Sequence, residues 1–327
     1  MRTNSPTAAK QRGMAVISAL LIAAVVAVIA GGMLTRQALF TRSLEAEQLR
    51  IQGMARLQGG LQVSRQLLLD ASQRDPLTRF GQAWAKPIVM PGSGLVDTPF
   101  EGQLEDEQSK FNLRNLVASE QVDQEQLRAF ERLCEQLGVA ATLRARIVER
   151  VIAGYPRLLN PERADKTPAS TTFDSGRSTS RDAPGTLAPT RPMLRTLQEL
   201  SNVEGVTPAL LETLTPYVTI LPANTWLNGN TASAPVLAAY VPGLSLQRAQ
   251  ALINERDGGR WFINRGDFVN RLRMPELEAS AVKVGITSDW FRLRGQARSG
   301  QRRVELDALL QRSQDRLPQV IWSRVGV

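Results

Sequence analysis

Histidine is missing from all 327 residues, and cysteine occurs once, at Cys134. Without imidazole there is no Ser-His-Asp or Cys-His pair and no His-bearing zinc site. One thiol can neither replace those ligands nor close an intrachain disulfide, and Cys134, in an apolar helical stretch, reads as a core filler. The carboxylates are scattered without a pairing pattern, so no site for an enzyme emerges. Aromatics make up 5% of the chain, and 40 Lys and Arg face 31 Asp and Glu, a net charge of +9. That excess is spread over Arg50, Arg56, Arg65, Arg144, Arg146, Arg150 and the run from Arg292 to Arg303. A compact basic block interleaved with aromatics, the footprint of a nucleic-acid binder, is lacking. A solvated charged surface is the default reading.

Charge is also absent from Met14 to Leu34, where Ser18 is the only polar side chain. As a helix this run measures roughly 30 Å, the hydrocarbon thickness of a bilayer. It has no polar stripe, and we read it as membrane-spanning. Arg2, Lys10 and Arg12 precede it with no acid, which keeps that end cytoplasmic and sends the rest across. A secretory signal has a shorter apolar region of about 7–15 residues and a small-x-small cleavage site. Gly31–Arg36 matches that site poorly, and an uncleaved signal anchor stays open.

The leader itself, Lys10-Gln11-Arg12-Gly13 before Met14-Ala15-Val16-Ile17, resembles a type IV prepilin leader. The resemblance implies cutting by a prepilin peptidase after Gly13 and methylation of Met14, with the apolar segment retained. It also implies a Glu at mature position five, where this chain has Ser18.

Leu39, Phe40, Leu44, Leu49, Met54, Leu57, Leu61, Leu67 and Leu68 continue a helical spacing until Pro76 ends it. Residues 77–99 are rich in Pro and Gly. Phe100–Glu107 alternates like a strand, with Lys110–Leu116 as its continuation. Two helices are expected between Asp123 and Val151, broken at Gly138. Residues 156–192 are rich in Pro, Ser and Thr, with little to bury, and read as a mobile loop. Helices are expected again at Met193–Leu200 and Thr207–Leu214, the latter with Thr207 as N-cap and Pro208 in the first turn. Ile286–Gln296, Val304–Gln311 and Pro318–Ser323 read as closing strands, the first two joined by the turn Arg298–Gln301.

Trp84-Ala85-Lys86-Pro87, then Lys110-Phe111-Asn112-Leu113-Arg114-Asn115-Leu116, then Asn228-Gly229-Asn230-Thr231-Ala232 together resemble the K-type minor pseudopilin of type II secretion, the GspK family. Arg114 stands where that family has Asn. The resemblance implies an α+β fold: a pilin-like long N-terminal helix and antiparallel sheet carrying a large inserted all-α domain. The expected division is a leader at 1–13, a transmembrane helix at 14–35, an amphipathic stem at 36–75 and the first part of the sheet at 76–117. The inserted α-domain then spans 118–284, and the final strands span 285–327. It further implies a non-enzymatic subunit at the tip of a pseudopilus, partnered by I- and J-type minor pseudopilins and an inner-membrane assembly platform. Such a subunit crosses the bacterial inner membrane once, with its C-terminal domain in the periplasm. At the tip no neighbour's amine needs a carboxylate, which would explain Ser18. Calcium is implied too, but the family's acidic loop motifs are missing: Glu162, Asp165, Asp174 and Asp182 are widely spaced, leaving Glu105 and Asp106 as candidate ligands.

The stretch 221–272 is also similar to a helix-hairpin-helix module, which grips DNA backbone. In that alternative the chain is a membrane-anchored DNA-binding protein of an uptake system, with Arg248 and Arg256 on phosphate. Its hairpin, Pro242-Gly243-Leu244-Ser245, lacks the second Gly, and Ser245 serves equally as an N-cap.

Overall fold

The computed structural model describes residues 9–92, 99–158, 185–278, 282–299, 302–313 and 315–326. Most of the loop expected at 156–192 and the first eight leader residues lie outside that set.

Helix α1 (Ala9–Arg74) is 66 residues long, about 100 Å at 1.5 Å per residue. Residues 16–45 are exposed along its whole circumference. From Gly53 onward one side is covered, at Gly53, Leu57, Gly60, Leu61, Ser64, Leu68 and Ala71, a spacing of three and four that keeps one face on a partner. The helix ends at Arg74, just before Pro76, as the missing amide requires.

That partner is a five-stranded antiparallel sheet in sequential order. Its strands are β1 (Ile88–Met90), β2 (Phe100–Asp106), β3 (Trp290–Ser299), β4 (Arg302–Ser313) and β5 (Arg316–Gly326). Alternate residues Leu293, Ala297, Val304, Leu306, Ala308 and Leu310 point to the stem and form one core with Leu57, Leu61 and Leu68. At its centre Phe100 fills a cradle of glycines. A Cβ at Gly60, Gly102 or Gly295 would stand 2.3, 2.7 or 2.6 Å from its ring. Gly102 and Gly295 are cross-strand partners, so the absence of two side chains on neighbouring strands makes the space.

Between β2 and β3 the chain makes a long excursion, leaving at Asp106 and returning beside it, where Phe291 pairs with Asp106. Entry and exit on adjacent strands let the excursion fold on a core of its own, built on Phe111, Phe130, Leu133, Ile147, Leu237, Phe262 and Phe268. It contains α2 (Gln124–Gln136), α3 (Ala141–Ile152), α4 (Pro208–Leu214), α5 (Ala234–Tyr240), α6 (Leu246–Asp257) and α7 (Arg265–Leu272). Thr207 caps α4, its hydroxyl accepting the Leu210 amide at 3.2 Å. The insert also lies on the outer face of the sheet, where Leu221 meets Trp290 and Leu309.

Two local expectations are corrected. Lys110–Leu116 does not extend β2. Phe111–Asn112 pairs in parallel with Val218–Thr219, and Leu113–Leu116 is a 3-10 turn inside the insert core. Buried Asn112 is the reason: its carbonyl accepts the Arg114 and Leu221 amides, and its amide donates to the Ala223 carbonyl. Met193–Leu200 is not a helix either. A 3-10 segment covers Leu197–Asn202, started by the Glu199 carboxylate accepting the Thr196 amide at 3.2 Å.

Candidate assembly surfaces and the junction that orients them

The bare half of α1 is one functional surface. Met14, Ile17, Leu20, Val28 and Met33 are each more than half exposed, an arrangement stable only in lipid or against other apolar helices. By length and composition this helix can cross a membrane. Ser18 sits comfortably in that setting, because its hydroxyl donates to the Met14 carbonyl one turn back at 2.9 Å and leaves no free donor. Gly13 and Met14, the expected cleavage pair, lie within the same helix.

The second feature is a buried polar knot where stem, sheet and insert meet. Asp106, at the end of β2, is 4% exposed. One carboxylate oxygen accepts the Gln108 amide at 2.8 Å. The other accepts the Thr231 hydroxyl at 2.6 Å, the Ser288 hydroxyl at 2.6 Å and the Asn228 amide at 3.0 Å. Asn228 also donates to the carbonyl of Thr78, just past the stem, at 3.0 Å. The Thr78 hydroxyl accepts from the Ser288 amide and from Arg312 of β4 at 3.1 and 2.8 Å. Burial pushes the Asp106 carboxyl above the usual range, against the four donors, which favour the ionised form. Asn230 completes the turn, exchanging hydrogen bonds with the backbone of Phe262 at 2.8 and 2.9 Å. The Asn-Gly-Asn-Thr motif is thereby a set of buried fasteners.

Both calcium candidates already hold partners within the protein. Asp106 is enclosed by its donors. Glu105, on the opposite face of the strand, meets Lys110 at 3.2 Å and Arg294 at 3.8 Å. Burial works to raise its carboxyl, but those cations outweigh it and hold the group below its ordinary range. Among the described residues no group of three or more His, Cys, Asp or Glu is placed to hold a metal. The four loop acids Glu162, Asp165, Asp174 and Asp182 lie outside the described residues.

The arginines of the DNA reading are committed internally. Arg256 is 2% exposed and donates to the carbonyls of Gly229 and Ala232 at 3.0 and 2.7 Å. Arg248 donates to the Leu272 carbonyl at 2.5 Å, and the Ser245 hydroxyl caps α6 through the Arg248 amide. The hairpin region is built as a packing element of the insert.

Two family models described as type II secretion system protein K match residues 109–223 and 227–287, together more than half of the chain. The type II secretion system protein K of Pseudomonas aeruginosa is 31% identical, with 93% of this chain and 90% of the relative covered. The chain belongs to the type II secretion protein K family. The K protein of Pectobacterium carotovorum is 27% identical, with 97% of both chains covered. Among solved structures, a chain of the GspK-GspI-GspJ complex from enterotoxigenic Escherichia coli aligns with a TM-score of 0.64 at 17% identity. That alignment covers 86% of this chain and 99% of the other, and it shows the α+β fold of stem, sheet and helical insert. The K proteins are structural components of a secretion machine, and this chain is no enzyme.

The knot around Asp106 escaped the sequence reading. Asn228–Thr231 stood out as a motif, but Thr78, Ser288 and Arg312 carry no local signal, being joined to it only across 60 to 234 residues of chain.

Proposed function

We propose that this K protein is the minor pseudopilin at the tip of a pseudopilus, assembled with I- and J-type minor pseudopilins, and that it starts or caps the filament that drives folded proteins across the outer membrane. The observation that carries the reading is the position of the insert. It is fastened at Thr78, beyond the end of the stem farthest from the apolar run, where a further subunit would have to stack. Ser18 fits the same role, since a subunit with none above it needs no carboxylate at mature position five. A buried carboxylate there would cost about 2.5–3.5 kcal/mol on insertion scales. In this reading prepilin peptidase cuts between Gly13 and Met14, the chain crosses the inner membrane once with its C-terminal domain in the periplasm, and it engages the inner-membrane platform.

Intact mass of the membrane-extracted protein, from cells with and without prepilin peptidase, tests the processing. Loss of residues 1–13 with a methyl on Met14, only when the peptidase is present, supports it; a chain starting at Met1 refutes it. Gold-labelled antibody against the insert tests the tip position. Label at one filament end is expected, and label along the filament length would sink the idea.

A further inference from the structure

The end of the sheet nearest the apolar run is basic, and so is the stem below it. Three contacts fix the direction of the sheet on the stem. A Cβ at Gly53 would stand 3.1 Å from Val304, Gly60 faces Phe100, and Arg65 donates to the Pro318 carbonyl at 2.7 Å. The β3–β4 hairpin therefore points back toward the apolar run. Near its end Arg298 pairs directly with Arg303 across the strands, and like charges so placed destabilise a sheet. Ala297 and Val304 face the stem, so Arg298 and Arg303, next along each strand, stand on the outer face. A cleft of about 290 Å³ opens there, lined also by Pro99, Glu101 and Gln296. Glu101 accepts the Gln296 amide at 2.7 Å. Glu305 meets Arg303 at 3.3 Å with both side chains more than half exposed, a pair that contributes little in water.

Arg36 and Arg42 are the first charged residues past Leu34, ahead of any acid, and among the described residues neither has a partner. They lie about 3 and 12 Å beyond Leu34 at 1.5 Å per residue. Helical side chains tilt toward the N-terminus, here toward the bilayer, so both guanidinium groups reach the headgroup layer. Arg42 is close to three turns from Gly53, which puts it on the side of the stem that the sheet covers higher up. Cations on this outer side also oppose the orientation that the basic leader sets, an arrangement that an anionic surface on the same side explains.

We infer that Arg36, Arg42, Arg298 and Arg303 bind the headgroups of anionic phospholipids in the membrane surface from which the stem emerges, and that the unassembled protein leans on that surface with its sheet side down. An upright stem holds Arg298 and Arg303 roughly 25 Å above Leu34, beyond a Debye length of about 10 Å. A tilt of about 40° toward the sheet, the limit of ordinary transmembrane tilts, turns the outer face downward and brings both within side-chain reach of the headgroups. Building the protein into an upright filament then breaks these contacts.

The inference rests on α1 crossing a membrane with the sheet outside, and the experiment separates the two. The full chain is reconstituted into nanodiscs of phosphatidylcholine alone or with phosphatidylglycerol. A donor dye on Val325→Cys, beside the hairpin end, reports energy transfer to acceptor dye on lipid headgroups, while buried Cys134 stays unlabelled. Expected is higher transfer with phosphatidylglycerol, falling to the phosphatidylcholine level at salt near 1 M, where the Debye length is about 3 Å. Arg298→Glu with Arg303→Glu abolishes the increase. Arg36→Gln with Arg42→Gln raises the phosphatidylglycerol content needed for half the increase by about fivefold or more. Arg128→Gln on α2 of the insert changes nothing, and protease resistance of sheet and insert checks that the variants fold. Equal transfer in the two lipids, an increase insensitive to salt, or one that survives both double variants overturns the inference and leaves the membrane reading standing. A chain that does not co-elute with the discs overturns both.

Discussion

Adding a single methyl at Gly60 would destabilise this protein even though it improves the helix. Alanine in the middle of α1 gains about 0.5–1 kcal/mol over glycine. The new Cβ, however, would stand 2.3 to 2.5 Å from three ring atoms of Phe100. The ring has no retreat, because the same tip of the ring already lies within 3 Å of where Cβ atoms on Gly102 and Gly295 would be, close against both strands. Overpacking of this kind costs about 1–3 kcal/mol, so against the helix gain of about 0.5–1 kcal/mol Gly60→Ala should lose about 1 kcal/mol net and at most about 2.5 kcal/mol. Phe100→Ala should lose about 3–5 kcal/mol by itself. In that background Gly60→Ala should reverse sign and stabilise by about 0.5–1 kcal/mol, since the clash is gone and the helix gain remains. The measurement is a double-mutant cycle from urea denaturation of the detergent-extracted chain, followed by tryptophan fluorescence. Trp84 lies in this core, edge-on to Phe291 with centroids 5.2 Å apart. Equal effects of Gly60→Ala in both backgrounds, within the roughly 0.3–0.5 kcal/mol of simple additivity, would refute the cradle.

Cys134 is fully buried and its thiol is pushed up to about 12, chiefly by burial. It should therefore resist iodoacetamide at pH 8 in the folded protein and react at once in denaturant, which mass spectrometry reads directly. Asp106 binds its proton more tightly folded than unfolded, because burial raises its pKa. Its stabilising share is then complete below about pH 3.9, the ordinary aspartate value, and fades as pH rises through the raised one. Asp106→Asn should remove that slope from denaturation midpoints measured across the acid range. Asp106→Ala should cost about 1–3 kcal/mol or more by stranding the Thr231, Ser288 and Asn228 donors. Arg256→Met should lose about 1–3 kcal/mol of insert stability, since two buried carbonyls lose their donor. Its duplex binding, read by fluorescence anisotropy, should match that of the unmodified chain, and a loss specific to Arg256 would revive the DNA reading.

Much of the layout was legible because it rests on local, periodic signals. The uncharged run 14–34, the stop before Pro76, the break at Gly138 and the caps at Thr207 and Ser245 each depend on neighbours within a turn or two of helix. The errors fell where a distant partner outweighed local pattern. Lys110–Leu116 alternates like a strand, yet Asn112 turns it toward residues 221–225, more than a hundred positions away. Glu105 and Asp106, named as calcium candidates only because the family's loop motifs are missing, are separated by the strand itself. Successive strand residues point to opposite faces, so one went to surface cations and the other into the knot.

Composition and periodicity determined by themselves that this chain has a membrane-length apolar helix, a long stem, helices lying between two sets of strands, and no histidine for Ser-His or Cys-His catalysis; the sheet split by a helical insert came from the family resemblance. Tertiary structure alone decided how those parts are held. The glycine cradle exists only because Gly60, Gly102 and Gly295 converge on one ring, and the knot because Thr78, Asp106, Asn228, Ser288 and Arg312 converge on one buried point. Which face of the stem stays exposed is likewise set by which face the sheet covers. Convergence of residues far apart in sequence is a property of packing, and local pattern has no means of encoding it.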